Sequence, residues 1–347
     1  MKGIRDLITR AASDSGLLKL LEKFEVNRMD VLRVLNYHRI GIVADEKDIL
    51  DPSLLSATPE MFELQMQFLA DEYHVLSLED LLAHHRTRQP LPPRSVVVTF
   101  DDGYRDFHDL AWPILKKHGI PAILFVPTAF LSGDGQLFWW DRLYQAIVST
   151  HHTVVSVPEI GSWKLGLPED RFSIFDAVKH QLKQMPHRKM LALVDDILDR
   201  LDVVPETENQ LLTWEDLARL SSEGLYVAAH TRSHPILSRI SLSEIRLEVR
   251  GSQEDLKTHL GTTWPVFAYP VGGHAELVSD LPEILESENF EIGMTLIEGH
   301  NQFQNSNMYL LRRVGMAPTL SMEEFRLVLT RAFDVYALLK NMGLLGA

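Results

Sequence analysis

Along this chain, short runs of β-branched and other apolar residues alternate with stretches in which apolar positions recur every three or four residues. Such runs read as strands buried on both faces, and such stretches as amphipathic helices. The expected strands are Val31 to Tyr37, His74 to Leu78, Val96 to Phe100, Pro121 to Pro127, Leu225 to Ala229, Val266 to Tyr269, Glu291 to Leu296 and Leu310 to Met316. Between them lie helical faces with defined ends. Phe62, Met66 and Leu69 follow Thr58-Pro59, a helix start. Phe107, Leu110, Ala111, Ile114 and Leu115 share a face that stops at Gly119. Thr213 with Asp216, and Ser241 with Glu244, have the spacing of capping boxes; the second opens a face of Ile245, Val249, Leu256 and Leu260 that ends at Gly261. This alternation argues for a parallel sheet wrapped by helices, without separating a barrel from a doubly wound sheet.

Three segments break the rhythm. Residues 132 to 210 hold the aromatic-dense Phe138 to Tyr144 followed by polar or helical stretches with little β signal, an expected helical insertion in a main body spanning 31 to 320. Residues 1 to 30 read as an N-terminal helical extension, with Leu17 to Phe24 amphipathic and packed on the domain. Met322 to Leu345, within a tail of 321 to 347, reads as one helix whose broad apolar face packs on the body. Charges throughout Met1 to Asp30 leave no apolar core for a secretion leader, and no stretch is long and apolar enough for a transmembrane helix, so a cytoplasmic location is expected.

Composition narrows the partners. The chain has 347 residues, 45% hydrophobic and 24% charged, which suits one barrel-sized domain with an insertion. A net charge of −14 argues against nucleic acid as a partner and disfavours docking on an anionic membrane. With no cysteine, any metal site must be built from histidine and carboxylate.

The chemistry gathers where expected strands end, which in parallel α/β folds is where side chains meet the ligand. Val96 to Phe100 runs into Asp101-Asp102-Gly103-Tyr104, which alone would read as an Asp-Gly turn. Leu225 to Ala229 runs into His230-Thr231-Arg232-Ser233-His234, two histidines four apart that one helical turn would place on the same face, within reach of one metal ion. Such a pair is easily met by chance among 15 histidines; its placement at a strand end is not. Val266 to Tyr269 runs into Pro270-Val271-Gly272-Gly273. Three such ends suggest one shared rim.

Thr99 to Tyr104 (TFDDGY) and His230 to His234 resemble the first two motifs of the polysaccharide deacetylases, carbohydrate esterase family four of the chitooligosaccharide deacetylase type. Asn36-Tyr37-His38-Arg39 resembles the opening strand of many members, and Phe267 to Pro270 the third motif of an exopolysaccharide-associated branch. Trp139-Trp140-Asp141 is similar to a helix found in that branch. The resemblance implies a distorted (β/α) barrel of seven or eight strands with a mainly helical insertion. It implies hydrolysis of the N-acetyl group of an amino sugar in a polysaccharide, oligosaccharide or glycolipid, in polysaccharide biosynthesis.

Amide hydrolysis needs an activated water, a stabilised oxyanion and a proton for the leaving amine. By resemblance, Asp102, His230 and His234 hold one divalent ion, zinc first, with cobalt, nickel or manganese equally compatible with a sulfur-free site. Asp101 is then the general base and the backbone N–H of Tyr269 the oxyanion donor. The family's usual Arg-Pro-Pro-Tyr motif is replaced here by Ala268-Tyr269-Pro270-Val271, so the arginine that steadies the base is missing there. Arg312 and Arg313 are neighbours on a strand and must point oppositely; Arg313 is the one expected to face Asp101. The late acid motif is also absent, leaving His274 and His300 as proton donors to weigh. Tyr104, Pro270, Gly272 and Trp140 are expected on the substrate side, although the tryptophan pair more simply staples the insertion to the barrel. Two other readings stay open: an amidohydrolase acting on a small non-sugar amide, and a carbohydrate-binding pseudoenzyme. Oligomeric state is not legible.

Overall fold

The computed structural model describes residues 17–26, 28–42, 49–133, 135–157 and 159–341. Seven parallel strands close into a barrel: β1 (Val31–Tyr37), β2 (Ser95–Asp101), β3 (Ala122–Val126), β4 (Tyr226–Ala229), β5 (Val266–Ala268), β6 (Ile292–Glu298) and β7 (Leu311–Gly315). Each strand pairs with the next in sequence, and β7 returns to β1 through Leu35↔Val314 and Asn36↔Gly315. The distorted (β/α) barrel is therefore the fold, with seven strands.

An eighth strand was expected at His74 to Leu78. Only His74–Val75 is extended, pairing with Ser95 and Val96 below the level at which β3 joins β2. Ser77 ends it early: its hydroxyl accepts the Asp80 N–H in a capping box and starts the helix Leu78–Thr87.

Strand alternation sorts the core into layers. Leu32, Val34, Val97, Ile123, Phe125, Ala228, Val266, Ile292 and Leu311 fill the barrel interior. Their neighbours Leu35, Val96, Val98, Leu124, Val227 and Phe267 pack outward under the helices. Nearer the strand ends the inward positions turn polar, with Asn36, Thr99, Asp101, Thr295 and Arg313 all buried.

The insertion carries its own core, built on α1 (Trp139–Ser149), α2 (Pro168–Leu182) and α3 (His187–Leu201). It also holds a hairpin, Val154–Val157 against Gly161–Lys164, which the sequence reading passed over. The signal was present: Val155 and Val157 are buried while Val154 and Ser156 are exposed, the period-2 pattern of a half-buried strand. The C-terminal segment is two helices, Met322–Val328 and Ala332–Asn341, rather than one. The buried Arg33 guanidinium takes the Leu329 carbonyl, and the Thr330 hydroxyl turns back to Leu327 O at 2.8 Å, so the first helix stops there. Of the expected N-terminal extension, residues 1–16 lie outside the described residues, as do residues 342–347 at the other end; Leu17–Glu25 is helical. No helix among the described residues is long and apolar enough to cross a membrane.

Candidate active site

The two adjacent carboxylates leave β2 in different directions. Asp101 is the last residue of the strand and shares the inward face of Val97 and Thr99. Asp102 follows in the left-handed region at φ 76°, with Gly103 also at 76° and the Gly103 N–H closing back on Asp101 O at 3.0 Å. A Cβ at Gly103 would lie 3.1 Å from the Val126 side chain, so this tight turn favours glycine on two counts.

Asp101 lies against Arg313 as a two-pronged pair: Nη1 to Oδ1 is 2.8 Å and Nη2 to Oδ2 is 2.7 Å. The guanidinium is itself fixed, donating through Nε to Thr295 O at 2.8 Å and through Nη1 to Asn36 Oδ1 at 2.6 Å, over the Phe125 ring. Arg312 is exposed on the other face of β7. Burial is the largest influence and raises the Asp101 pKa, but the Arg313 charge, His230, the Arg313 hydrogen bonds and His38 together outweigh it and hold the carboxyl below its usual range.

Asp102 sits between two imidazoles, its Oδ1 3.6 Å from His230 Nε2 and 3.3 Å from His234 Nε2. The histidines do not share a helical face, as their spacing suggested. They sit on a bent loop in which Thr231 (φ 66°) and His234 (φ 53°) are both left-handed. Contacts within the loop and from the helix that follows it stabilise that conformation. The Thr231 hydroxyl accepts the His234 N–H at 3.0 Å, and Glu248 accepts the Arg232 and Ser233 N–H groups, each at 2.8 Å.

His230 Nδ1 donates to Ala268 O at 2.7 Å, which leaves Nε2 with its lone pair toward Asp102. Burial, reinforced by His234 and opposed by Asp101 and Asp102, pushes the His230 pKa down to about 4. The imidazole is thus neutral at ordinary pH, the form that ligates a metal.

These three residues fit a metal ion. Their ligand atoms all lie within 4.8 Å of one another and all three residues are buried. Asp102 Oδ1 is buried without a hydrogen-bond partner, an orphan of the kind a cation satisfies. Two ligand atoms bound tetrahedrally at about 2 Å from one zinc-like ion would be separated by about 3.3 Å, close to the spacings found.

The remaining expected residues are placed less simply. The Tyr269 N–H is committed to Met294 O at 3.0 Å, so it cannot serve as an oxyanion donor. Two residues on, Val271 is half-exposed at φ 54°, an outlier for a β-branched residue, and its N–H forms no hydrogen bond among the described residues. Pro270 and Gly272 are buried, and both backbone groups of Gly272 are used, toward Tyr269 O at 3.2 Å and from Leu296 N at 2.8 Å. Tyr104 is fully buried, with no surface for substrate. Trp140 stacks on Phe138 at 4.5 Å and meets the His234 ring edge-on at 4.8 Å, so it walls the site rather than offering a platform. His300 is buried between Val328 O at 2.9 Å and Asp334 at 3.2 Å, while His274 is exposed.

His38 was noticed only as part of the opening-strand motif. Its Nε2 lies 3.9 Å from Asp101 Oδ2, and its side chain is 21% exposed. Register could have found it: Tyr37 pairs with Phe100, so the next residue on each strand falls at the same level.

Behind this wall lies a buried polar chain. Trp140 Nε1 donates to the Tyr104 hydroxyl at 2.9 Å, Tyr104 donates to Asp141 Oδ2 at 2.8 Å, and Asp141 Oδ1 accepts the Asp51 N–H at 2.8 Å. Burial, with the nearby Asp51 charge, pushes the Asp141 pKa up to about 7 against these hydrogen bonds and Arg39. In the unfolded chain the same group titrates near about 3.9. Between those values the native state holds a proton that the unfolded state has lost, so stability from this group falls as pH rises. Asp141→Asn removes the titration. The Tm of the variant relative to wild type is expected to climb between pH 4 and 8 by calorimetry; a difference flat with pH would contradict it.

A family model described as "Polysaccharide deacetylase" matches residues 88–156 and 177–286. A poly-beta-1,6-N-acetyl-D-glucosamine N-deacetylase of Escherichia coli (strain K12) is 33% identical over 79 residues, 22% of this chain and 12% of that protein. The protein of the same name from Staphylococcus epidermidis is 33% identical over 105 residues, 27% of this chain and 35% of its own length. The chain thus matches well under half the length of these relatives. In fold it is similar to the Streptococcus pyogenes deacetylase PplD solved with acetate, with a TM-score of 0.57 and 21% identity over 86% of this chain and 98% of that one. The family model covers just over half of the chain, which belongs to the polysaccharide deacetylase family.

Proposed function

We propose that this protein hydrolyses the N-acetyl group of an amino sugar in a glycan, with a divalent metal ion held by Asp102, His230 and His234. The observation that carries the reading is the division of labour between adjacent carboxylates, Asp101 in the arginine fork and Asp102 between two imidazoles. Bound there, a zinc-like ion supplies Lewis acidity toward the acetyl oxygen and toward an attacking water.

The chain's own residues do the rest. Asp101, kept ionised by Arg313, accepts the proton of the water as its oxygen forms the new C–O bond. The Val271 N–H meets the charge that develops on the acetyl oxygen. His38 delivers a proton to the nitrogen as the C–N bond breaks, so acetate and a free amine leave. A pseudoenzyme has no physical need for an intact fork on Asp101, which favours catalysis over mere binding. The names of the relatives support poly-N-acetylglucosamine as the substrate class. Acetate release from β-1,6- and β-1,4-linked N-acetylglucosamine oligomers tests this, with a small amide such as acetanilide as comparison. Release from the amide alone would move the substrate away from sugars.

The fork makes its own prediction. In Arg313→Ala, Asp101 loses the largest influence opposing its burial and its pKa rises, so the acidic limb of the pH–rate profile moves up. Turnover should fall about 10–100-fold, as for other supporting partners of a reactive site. Stability should fall by about 3–5 kcal/mol, because a buried charge loses its partner. Arg313→Lys keeps the charge and should recover part of the limb, whereas Arg312→Ala should leave the profile unmoved. A profile unchanged in Arg313→Ala refutes the role.

A further inference from the structure

The two imidazoles beside Asp102 are held in different ways. A histidine that ligates a metal usually donates its second ring N–H to an acceptor, which fixes the plane of the ring. His230 does so, through Nδ1 to Ala268 O at 2.7 Å. His234 does not: its Nδ1 is buried and has no hydrogen-bond partner among the described residues. Its ring lies among other rings instead. Trp140 meets it at 4.8 Å and 63°, Phe138 at 5.8 Å and 56°, and His230 at 4.8 Å and 74°.

We infer that Trp140 and Tyr104 are positioning residues of the metal site, acting through His234, a role that rests on the metal-site reading above and brings the insertion into it. Ring contact alone leaves an indole free to slide or to turn over about its own bond; a hydrogen bond at its edge removes both freedoms. Trp140 stacks on Phe138 with the two planes 11° apart, and its Nε1 donates to the Tyr104 hydroxyl at 2.9 Å. Tyr104 donates onward to Asp141 Oδ2 at 2.8 Å.

The chain does not stop at Asp141. Asp141 Oδ1 accepts the Asp51 N–H, and Asp51 Oδ2 accepts Lys179 Nζ at 2.9 Å. Trp140 and Asp141 belong to α1 and Lys179 to α2, so two helices of the insertion fix the wall against which His234 packs. Tyr104 follows Asp102 by two residues, so one tight turn supplies a metal ligand and the support of another ligand's wall. Simple core filling does not require this. A phenylalanine at 104 would occupy the same space without the cost of burying a hydroxyl, whereas the hydroxyl present satisfies both an indole N–H and a carboxylate.

The test is zinc titration of the chelator-stripped full chain against a competing chromophoric chelator, with the visible absorption of bound cobalt as a reading of ligand geometry. Loss of a partner that orients a metal ligand typically weakens binding about 10- to 100-fold. Trp140→Ala should fall in that range, and Tyr104→Phe and Trp140→Phe, which keep a ring in place, should weaken zinc less. All three should change the cobalt spectrum. Ile197→Ala is the control: it opens the insertion core without touching the chain, and should lower Tm with zinc affinity and cobalt spectrum unchanged. Should Trp140→Ala fold poorly, Tyr104→Phe removes a single oxygen and still decides the matter. Wild-type zinc affinity in Tyr104→Phe and Trp140→Ala means that something other than the wall orients His234, and overturns the inference while leaving the metal site intact. Equal weakening in Ile197→Ala also overturns it, since general loosening would then suffice. A wild type that binds no zinc or cobalt removes the metal site itself, and the positioning role with it.

Discussion

Asp102→Asn, His230→Ala and His234→Ala are each expected to lose metal and activity together. Only three side chains converge on the ion's position among the described residues, and each supplies one ligand atom. Losing one imidazole leaves two ligands and a buried Asp102 whose charge is less compensated. The drop should exceed the about 10–100-fold typical when a supporting partner of a metal ligand is removed. Asp102→Asn has a second effect. Burial would raise this carboxyl, yet His234 and the neighbouring histidines hold it well below the usual range, so it is ionised at any working pH. An amide in its place offers a neutral oxygen where the two imidazoles meet an anion. Metal analysis of the purified variants beside acetate release checks this; full metal content in both histidine variants would remove the assignment.

Asp101→Asn should behave differently. Both oxygens of Asp101 face the Arg313 fork, so the metal position loses no ligand. What is lost is the proton acceptor, and removing a general base typically costs about 10²- to 10⁴-fold in rate. The asparagine amide also turns an N–H toward one Arg313 N–H, which should lower Tm somewhat without disturbing metal content. The expected signature is therefore a loaded, folded and nearly inactive protein. A metal-free Asp101→Asn beside a loaded Asp102→Asn would reverse the two roles.

Most of the barrel was legible because its strands are short, apolar and buried on both faces. Val31–Tyr37 is the expected first strand to the residue, and the polar strand ends do fall on one rim. Alternation along β7 left one inward arginine, and Arg313 is the one on Asp101. The failures share a physical origin. Spacing four apart suggested a helical turn for His230 and His234, but their approach depends on Thr231 and His234 in left-handed conformations, stabilised by Glu248 from the helix that follows the loop. No local propensity of a threonine announces that. The Tyr269 amide looked available until its pairing across to Met294 was seen. Tyr104 reads as a sugar contact because an aromatic residue near a strand end suits that role; its hydrogen bonds with Trp140 and Asp141 are tertiary and leave no trace in the pattern. His74 to Leu78 failed for a local reason that could have been read, the Ser77–Asp80 capping box.

The most direct test of the account is metal titration of the chelator-stripped protein with acetate release from an N-acetylglucosamine oligomer as readout. The three-ligand site predicts that activity returns linearly up to one equivalent of zinc, cobalt, nickel or manganese and then levels off. The same titration of His234→Ala should restore none. Full acetate release from the stripped wild-type protein, before any metal is added, would contradict the central claim.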